Sequence, residues 1–214
     1  MACTQAVKAI KVLEKAKVEF TTLSDEKASG AQLDFLIGAA DEAKQEMVAL
    51  AKILSEYKTV VVYDPQDAKV IKRTYKEYGI EVSANVVTYT AFLADLVKAG
   101  KLAGKSGKTV VYQDPFQLSR DLEETEEARS VISAFATLHE MLLNRGETVW
   151  AGNILMAQYM PKVMEKVAER RLYNVKSIGE SAIVTASVSE YVSLKNVEQN
   201  DVEVLSLEDL ILGE

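Results

Sequence analysis

Cysteine is almost absent: Cys3 is the single thiol in 214 residues. That excludes an internal disulfide framework and any metal cage built wholly from thiolates. Proline and glycine are also sparse, at three and ten, so no long low-complexity linker is encoded. No apolar run approaches the length that crosses a bilayer, and the start lacks a basic segment followed by an apolar stretch. The expectation is a cytoplasmic protein with no membrane span. Positive charge is in deficit, with 25 Lys and Arg against 32 Asp and Glu. A net charge of −7 argues against a nucleic-acid partner, whose phosphates must meet a basic face. The one histidine, His139, is read as lying in a helix beside Glu140, at the surface or half-buried, with no Ser or Cys nucleophile suggested near it.

What is present is an ordinary globular composition, 48% hydrophobic and 27% charged. Helix and strand patterns alternate. Ala6, Ile10 and Leu13 recur at helical spacing, and residues 18–23 read as a short strand. Asp41 is placed to cap a helix that carries Ala43, Met47, Leu50 and Leu54 on one face. Residues 59–63 form a continuous apolar run of the kind a strand buried on both faces requires. A helix through Val70, Ile71 and Tyr75 follows, closing near Gly79, then a strand at Val86 and Val87 and a helix over 91–98 capped by Thr90.

The best boundary candidate is 100–107, GKLAGKSG, which has little to pack. Beyond it the pattern restarts. Residues 109–112 are a buried-type strand, 123–136 a helix with an acidic first turn, and 147–150 a candidate strand. Pro161 opens a helix in which Val163, Val167, Arg171, Val175 and Ile178 follow at spacings of four and three. Strands at 182–185 and 202–205 and a helix at Leu207–Leu212 close the chain. Alternation of this kind favours parallel sheets built from βαβ units.

The halves read as one duplicated unit. Gly30 to Pro65 spans 35 residues and Gly152 to Val188 spans 36, each interval holding a long helix and then an apolar strand. Each half also ends on a strand that feeds an apolar helix, VTYTAFLADL and VLSLEDLIL. The plainer alternative is that any βαβ protein shows helix–strand spacings near these values. The expected architecture is α/β: two similar Rossmann-like domains, 1–100 and 108–214, with parallel sheets related by a pseudo-twofold.

Four stretches carry a family resemblance: LSDEKASGAQLDFLIGAADEA (23–43), VVVYDPQDAKVIKRTY (60–75), KTVVYQDPFQLSR (108–120) and IVTASVSEY (183–191), with VWAG at 149–152. Together they resemble the tandem cysteine-rich (Cys-Cys-Gly) domain family. Its members include the B and D subunits of heterodisulfide reductase and iron–sulfur subunits of glycerol-3-phosphate, lactate and glycolate oxidation. The resemblance implies iron–sulfur clusters of the [4Fe-4S] type held by cysteines from the motifs. The matched positions here are Ala28 and Ser29 before Gly30; Asp64 and Asp67; Phe116; Trp150 and Ala151 before Gly152; and Ser187 and Glu190. Thiolate binds such iron because it is soft and anionic, whereas Ala and Phe offer no donor and carboxylates suit harder ions. No cofactor is therefore expected. Cys3 sits too close to Gly30 to match the family's opening cysteine, and the first domain is read as shortened at its start.

The resemblance thus implies a degenerate, cluster-free and non-catalytic protein. It would serve as a structural or regulatory subunit of an anaerobic redox or electron-transfer complex, with iron–sulfur or flavin proteins as partners. The alternative is a small-metabolite-binding protein or enzyme that uses the emptied inter-domain cleft. Trp150 and Phe116 fill vacated volume or stack on a flat ligand. Asp64, Asp67 and Glu190 are solvated or capping carboxylates, or contribute to a hard-metal site. Gly30 and Gly152 lie outside any phosphate-loop pattern. The acidic run at 121–127 is a solvated helix start or a docking surface for a basic partner.

Overall fold

The computed structural model describes residues 2–24, 26–30, 38–198 and 201–214; residues 31–37, part of the first motif, lie outside them. The chain gathers into two compact units. One is Phe20–Phe92; the other joins Leu93–Glu214 to the segment that ends at Glu19. The fold is α/β, with parallel strands in two separate sheets.

In the smaller unit, helix α2 (Ala40–Leu54) buries Ala43, Met47, Leu50, Ala51 and Leu54. Strand β1 (Thr59–Val62) pairs with β2 (Asn85–Thr88) in parallel register. Between them Asp64 caps helix α3 (Pro65–Lys69), with proline in its first turn where a missing N–H costs nothing. The helical path continues through a wide turn at Val70–Thr74 to Tyr75–Glu77. Helix α4 (Tyr89–Lys98) follows β2, and Thr88 Oγ1, not Thr90, accepts the N–H of Ala91 at 3.2 Å.

The larger unit contains helix α1 (Ala2–Lys15) and a four-stranded sheet ordered β4-β3-β5-β6. Its strands are β3 (Thr109–Gln113), β4 (Thr137–His139), β5 (Ala182–Thr185) and β6 (Glu203–Ser206). Helices α5 (Glu127–Phe135), α6 (Pro161–Ser177), α7 (Val188–Asn196) and α8 (Leu207–Leu212) complete it. β5 is buried along its whole length, as its unbroken apolar sequence requires. Val111, Ile183 and Val204 from three strands meet Ala168, Leu172 and Val175 of α6 and Leu194 of α7 in one core. Ser206 and Asp209 form a reciprocal capping box at the start of α8, and Lys8 reaches across from α1 to Asp209 at 2.6 Å.

Several expectations are corrected. Residues 18–23 are not a strand; most of that stretch is exposed and irregular. β1 is not buried on both faces, since only Val62 is fully enclosed. In α1 the inward stripe is Gln5, Ala9 and Val12, continued by Ala16 just past its end, while Ala6 and Ile10 face outward. In α6 it is Met164, Ala168, Arg171, Leu172 and Val175, while Val163 and Ile178 are exposed. The helix read over 123–136 is confined to α5, because Glu123 takes a left-handed turn (φ 58°). His139 lies not in a helix but at the end of β4, where its Nδ1 is 2.6 Å from Glu180 Oε1. Residues 147–150 are not a strand either, because side chains claim their carbonyls. Arg120 donates to Thr148 O and Gln113 to Val149 O, so no ladder is needed to satisfy them.

Gly30 and Gly152, the glycines of the two short motifs, have a local reason to be glycine. Each has positive φ (86° and 121°) and each presses its Cα on a helix. A Cβ on Gly30 would lie 2.8 Å from Ala43 O; on Gly152 it would lie 2.5 Å from Ser193 Cβ. Gly152→Ala therefore adds backbone strain to overlap, and should lower unfolding free energy by roughly 2 kcal/mol or more. Urea denaturation checks this. Adding Ser193→Gly should restore part of the loss, because it removes the overlap and leaves the φ cost.

Candidate functional site

The chain runs from β3 to β4 on one side of the sheet and later to β5 on the other side. β3 and β5 therefore flank a topological switch point, and ligands of open parallel sheets bind outside the carboxyl ends of strands at such places. The residues at these ends are polar and buried. Gln113 closes β3 and is fully enclosed, Asp114 follows it, and Thr185 closes β5. Glu190, in the first turn of α7, is 3% exposed. Its Oε1 accepts from Gln113 Nε2 at 3.1 Å and from the Ala151 N–H at 3.3 Å, and Thr185 Oγ1 lies 3.2 Å from Oε2. Ser187 caps the same helix through the Glu190 N–H.

On its other side Gln113 accepts from Nε of Arg171, which projects from the inward stripe of α6. The guanidinium is 1% exposed, gives Nη2 to Leu143 O at 3.2 Å, and leaves Nη1 without a partner among the described residues. One amide thus separates a buried carboxyl from a buried guanidinium. Burial pushes the Glu190 carboxyl up to about 8, against the opposing pull of Ala151 N–H, Gln113, Thr185 and the Arg171 charge. Burial likewise draws Arg171 below its ordinary value, with the charges of Glu190 and Asp114 opposing.

A second cluster lies beside it and is saturated. Asp114 is clasped in bidentate fashion by Arg129, at 2.5 and 2.8 Å, and also accepts the Arg145 N–H at 2.9 Å. Arg129 turns its remaining edge to Glu140 at 2.7 Å. Thr148 Oγ1 donates to Asp114 O at 2.9 Å, so the segment between β4 and α6 is tied down over the end of β3.

Of the residues proposed from sequence, those of the larger unit come together. Trp150 and Phe116 are half-buried and meet edge to face at 6.2 Å, while Ala151, Ser187 and Glu190 share the network just described. In the smaller unit Ser29 Oγ donates to Asp67 Oδ1 at 2.6 Å, Tyr75 donates to Ser29 O at 3.3 Å, and Ala28 is exposed. Asp64 is half-buried at its cap, and burial together with the Asp67 charge pushes its carboxyl up to about 6. Among the described residues no group of three or more His, Cys, Asp or Glu is placed to hold a metal ion, and Cys3 is exposed on α1. Gln113, Asp114, Arg129 and Arg171 were not singled out from sequence. Arg171 carried a readable signal, a charge at a core position of an apolar stripe.

No family model matches the chain, and no curated protein matches it. A similar solved structure is glutamate racemase isoform RacE1 from Bacillus anthracis, with a TM-score of 0.40 and 12% identity over 98% of this chain and 74% of that one. At that score and identity the likeness assigns neither an activity nor residues. The resemblance to the Cys-Cys-Gly family is corrected: no family model supports it, and a solved structure similar to this chain is titled a glutamate racemase. With it fall the heterodisulfide-reductase-like description and the role of a non-catalytic subunit in an electron-transfer complex. The motifs have a general cause instead. Gly30 and Gly152 are close approaches, and Asp64 and Ser187 are helix caps after strands, devices any βα junction uses.

Two outcomes follow. Asp114→Ala leaves Arg129 in the interior with Glu140 as its one carboxylate and the Thr125 carbonyl, and should cost about 3 kcal/mol in chemical denaturation. The Glu190 shift gives a pH signature. Between the ordinary carboxyl value of 4.5 and about 8 the unfolded chain releases this proton while the folded chain keeps it, so stability falls as pH rises through that window. Glu190→Gln removes that component. The denaturation midpoint of the variant should gain on wild type steadily from pH 5 to pH 8, and parallel profiles would show that Glu190 titrates normally.

Proposed function

We propose that the chain binds a small organic metabolite at the carboxyl edge of its four-stranded sheet, as a binding protein or as an enzyme of the α/β class. The observation that supports this is the buried polar row Thr185, Glu190, Gln113 and Arg171 at the switch point between β3 and β5. Apolar residues of similar volume would hold the same strands together at least as well, because burying ionisable groups is costly even when they are bonded. A row of this kind at the position where α/β sheets take ligands is better explained by recognition than by packing. A carboxyl group held protonated near neutrality is also equipped to donate a proton to a bound molecule, which is the feature an enzyme would use.

The sole tryptophan, Trp150, adjoins Ala151, whose N–H binds Glu190, and so reports on the site. A thermal-shift panel of organic acids, amides, sugars and thiols should find one chemical class that stabilises saturably and alters Trp150 emission with the same midpoint. Gln113→Leu, which unlinks Glu190 from Arg171, should weaken that response at least tenfold. Stabilisation by no class, or a response in which Trp150 stays silent, would refute a ligand at this edge.

A further inference from the structure

The larger unit buries two arginines and provides for them differently. Arg129, 4% exposed, faces the carboxylates of Asp114 and Glu140. Arg171, 1% exposed, has as partners an amide oxygen and a main-chain carbonyl, and its Nη1 has none among the described residues. A guanidinium cannot shed its charge in a protein. Left inside without a counter-charge, it is among the most costly arrangements a fold can hold. The charges of Glu190 and Asp114 favour it only from a distance, because the Gln113 amide lies between it and the first and Arg129 clasps the second.

We propose that Nη1 of Arg171 anchors the carboxylate of a small monoanionic metabolite at the carboxyl edge of β3 and β5. The proposal rests on the metabolite-binding reading above and names its substrate class. One uncompensated guanidinium matches one negative charge. The neighbouring carboxylate, Asp114, already has its cation in Arg129, so a dianion such as sulfate would bring a second charge with nothing to meet it. A carboxylate also presents its oxygens in the plane that a guanidinium donor prefers.

The segment over the guanidinium is shaped at a cost. Leu143, whose carbonyl holds Nη2, has φ 59°, and Arg145 has φ 51°, conformations that non-glycine residues seldom adopt. Strain of this kind persists where surrounding contacts impose it, and it gathers at ligand clamps. The contacts that impose it here are those of Arg145, whose N–H binds Asp114 at 2.9 Å and whose Nε binds Glu126 at 2.7 Å.

The test titrates the intact chain, at pH 7 and constant ionic strength, with acetate, pyruvate and lactate. Acetamide and lactamide serve as uncharged counterparts and inorganic sulfate as the dianion. Thermal midpoint and Trp150 emission are read together. The carboxylates should stabilise saturably, and the amides and sulfate should bind at least tenfold more weakly. Arg171→Met should fold with an undiminished midpoint, since it removes an unpaired buried charge, yet lose the carboxylate response; Arg171→Lys should keep part of it. If that methionine variant fails to fold, the comparison of acid with amide on the wild-type chain decides the matter. Amides binding as well as acids would overturn the anchor and leave the metabolite site standing. Sulfate binding as tightly as the acids would overturn the monoanion assignment, and silence from every compound would overturn both readings.

Discussion

The side-chain amide of Gln113 is the point on which the larger unit turns. It accepts from a guanidinium on α6 and donates to a carboxyl on α7, and its Nε2 also holds the Val149 carbonyl. An amide is a neutral side chain that offers a donor and an acceptor in a single plane. Leucine would fill the same space and orphan both partners; glutamate would satisfy Arg171 and repel Glu190. The end of β3, the middle of α6, the first turn of α7 and the Val149 carbonyl are thereby fixed to one another through a single residue, enclosed at 0% exposure.

The alternation of helices and strands was legible because burial imposes it on the sequence. β3, β5 and α2 are apolar where the structure buries them, and the run VLSLEDLIL becomes β6 and α8 as its pattern implies. What failed was everything decided by tertiary partners. Residues 147–150 have the side chains of a strand, but Arg120 and Gln113 take the carbonyls that a neighbouring strand would have taken. The true edge strand, Thr137–His139, is three residues long and mostly exposed, too short to show a period of two. In α1 and α6 the helical spacing was right and the face was rotated. Apolar residues lie on more than one side of each helix, and Gln5 and Arg171 occupy inward positions that hydropathy assigns to solvent.

The family resemblance failed for a related reason. Gly, Asp-Pro and Ser at the ends of strands are the grammar of βα junctions: a left-handed close approach, a cap with proline behind it, a second cap. Such signals recur wherever that junction recurs, so four of them in order describe an architecture rather than a lineage. Glu190 was picked out by that route, yet its partners were not. Gln113 lies 77 residues away, inside the stretch 108–120 that was read as a motif but not among the positions singled out in it. Arg171 was visible as a charge in line with Val175 on the apolar stripe, and both point inward; its partners were what the spacing left unread.

The two buried arginines are an internal control for how the unit treats charge. They share one protein environment, similar exposure and one neighbouring strand end, so differences between them come from partners alone. At Arg129 the sequence supplies two carboxylates and a carbonyl, Thr125 O, and the charge is neutralised within the fold. At Arg171 it supplies an amide and a carbonyl, which orient the guanidinium but leave its charge unmatched. A network built solely for stability would treat both alike, because the cost of an uncompensated buried cation is several kcal/mol in general terms. Orientation without neutralisation is what a recognition site needs: the group is held in place and its counter-charge arrives with the ligand.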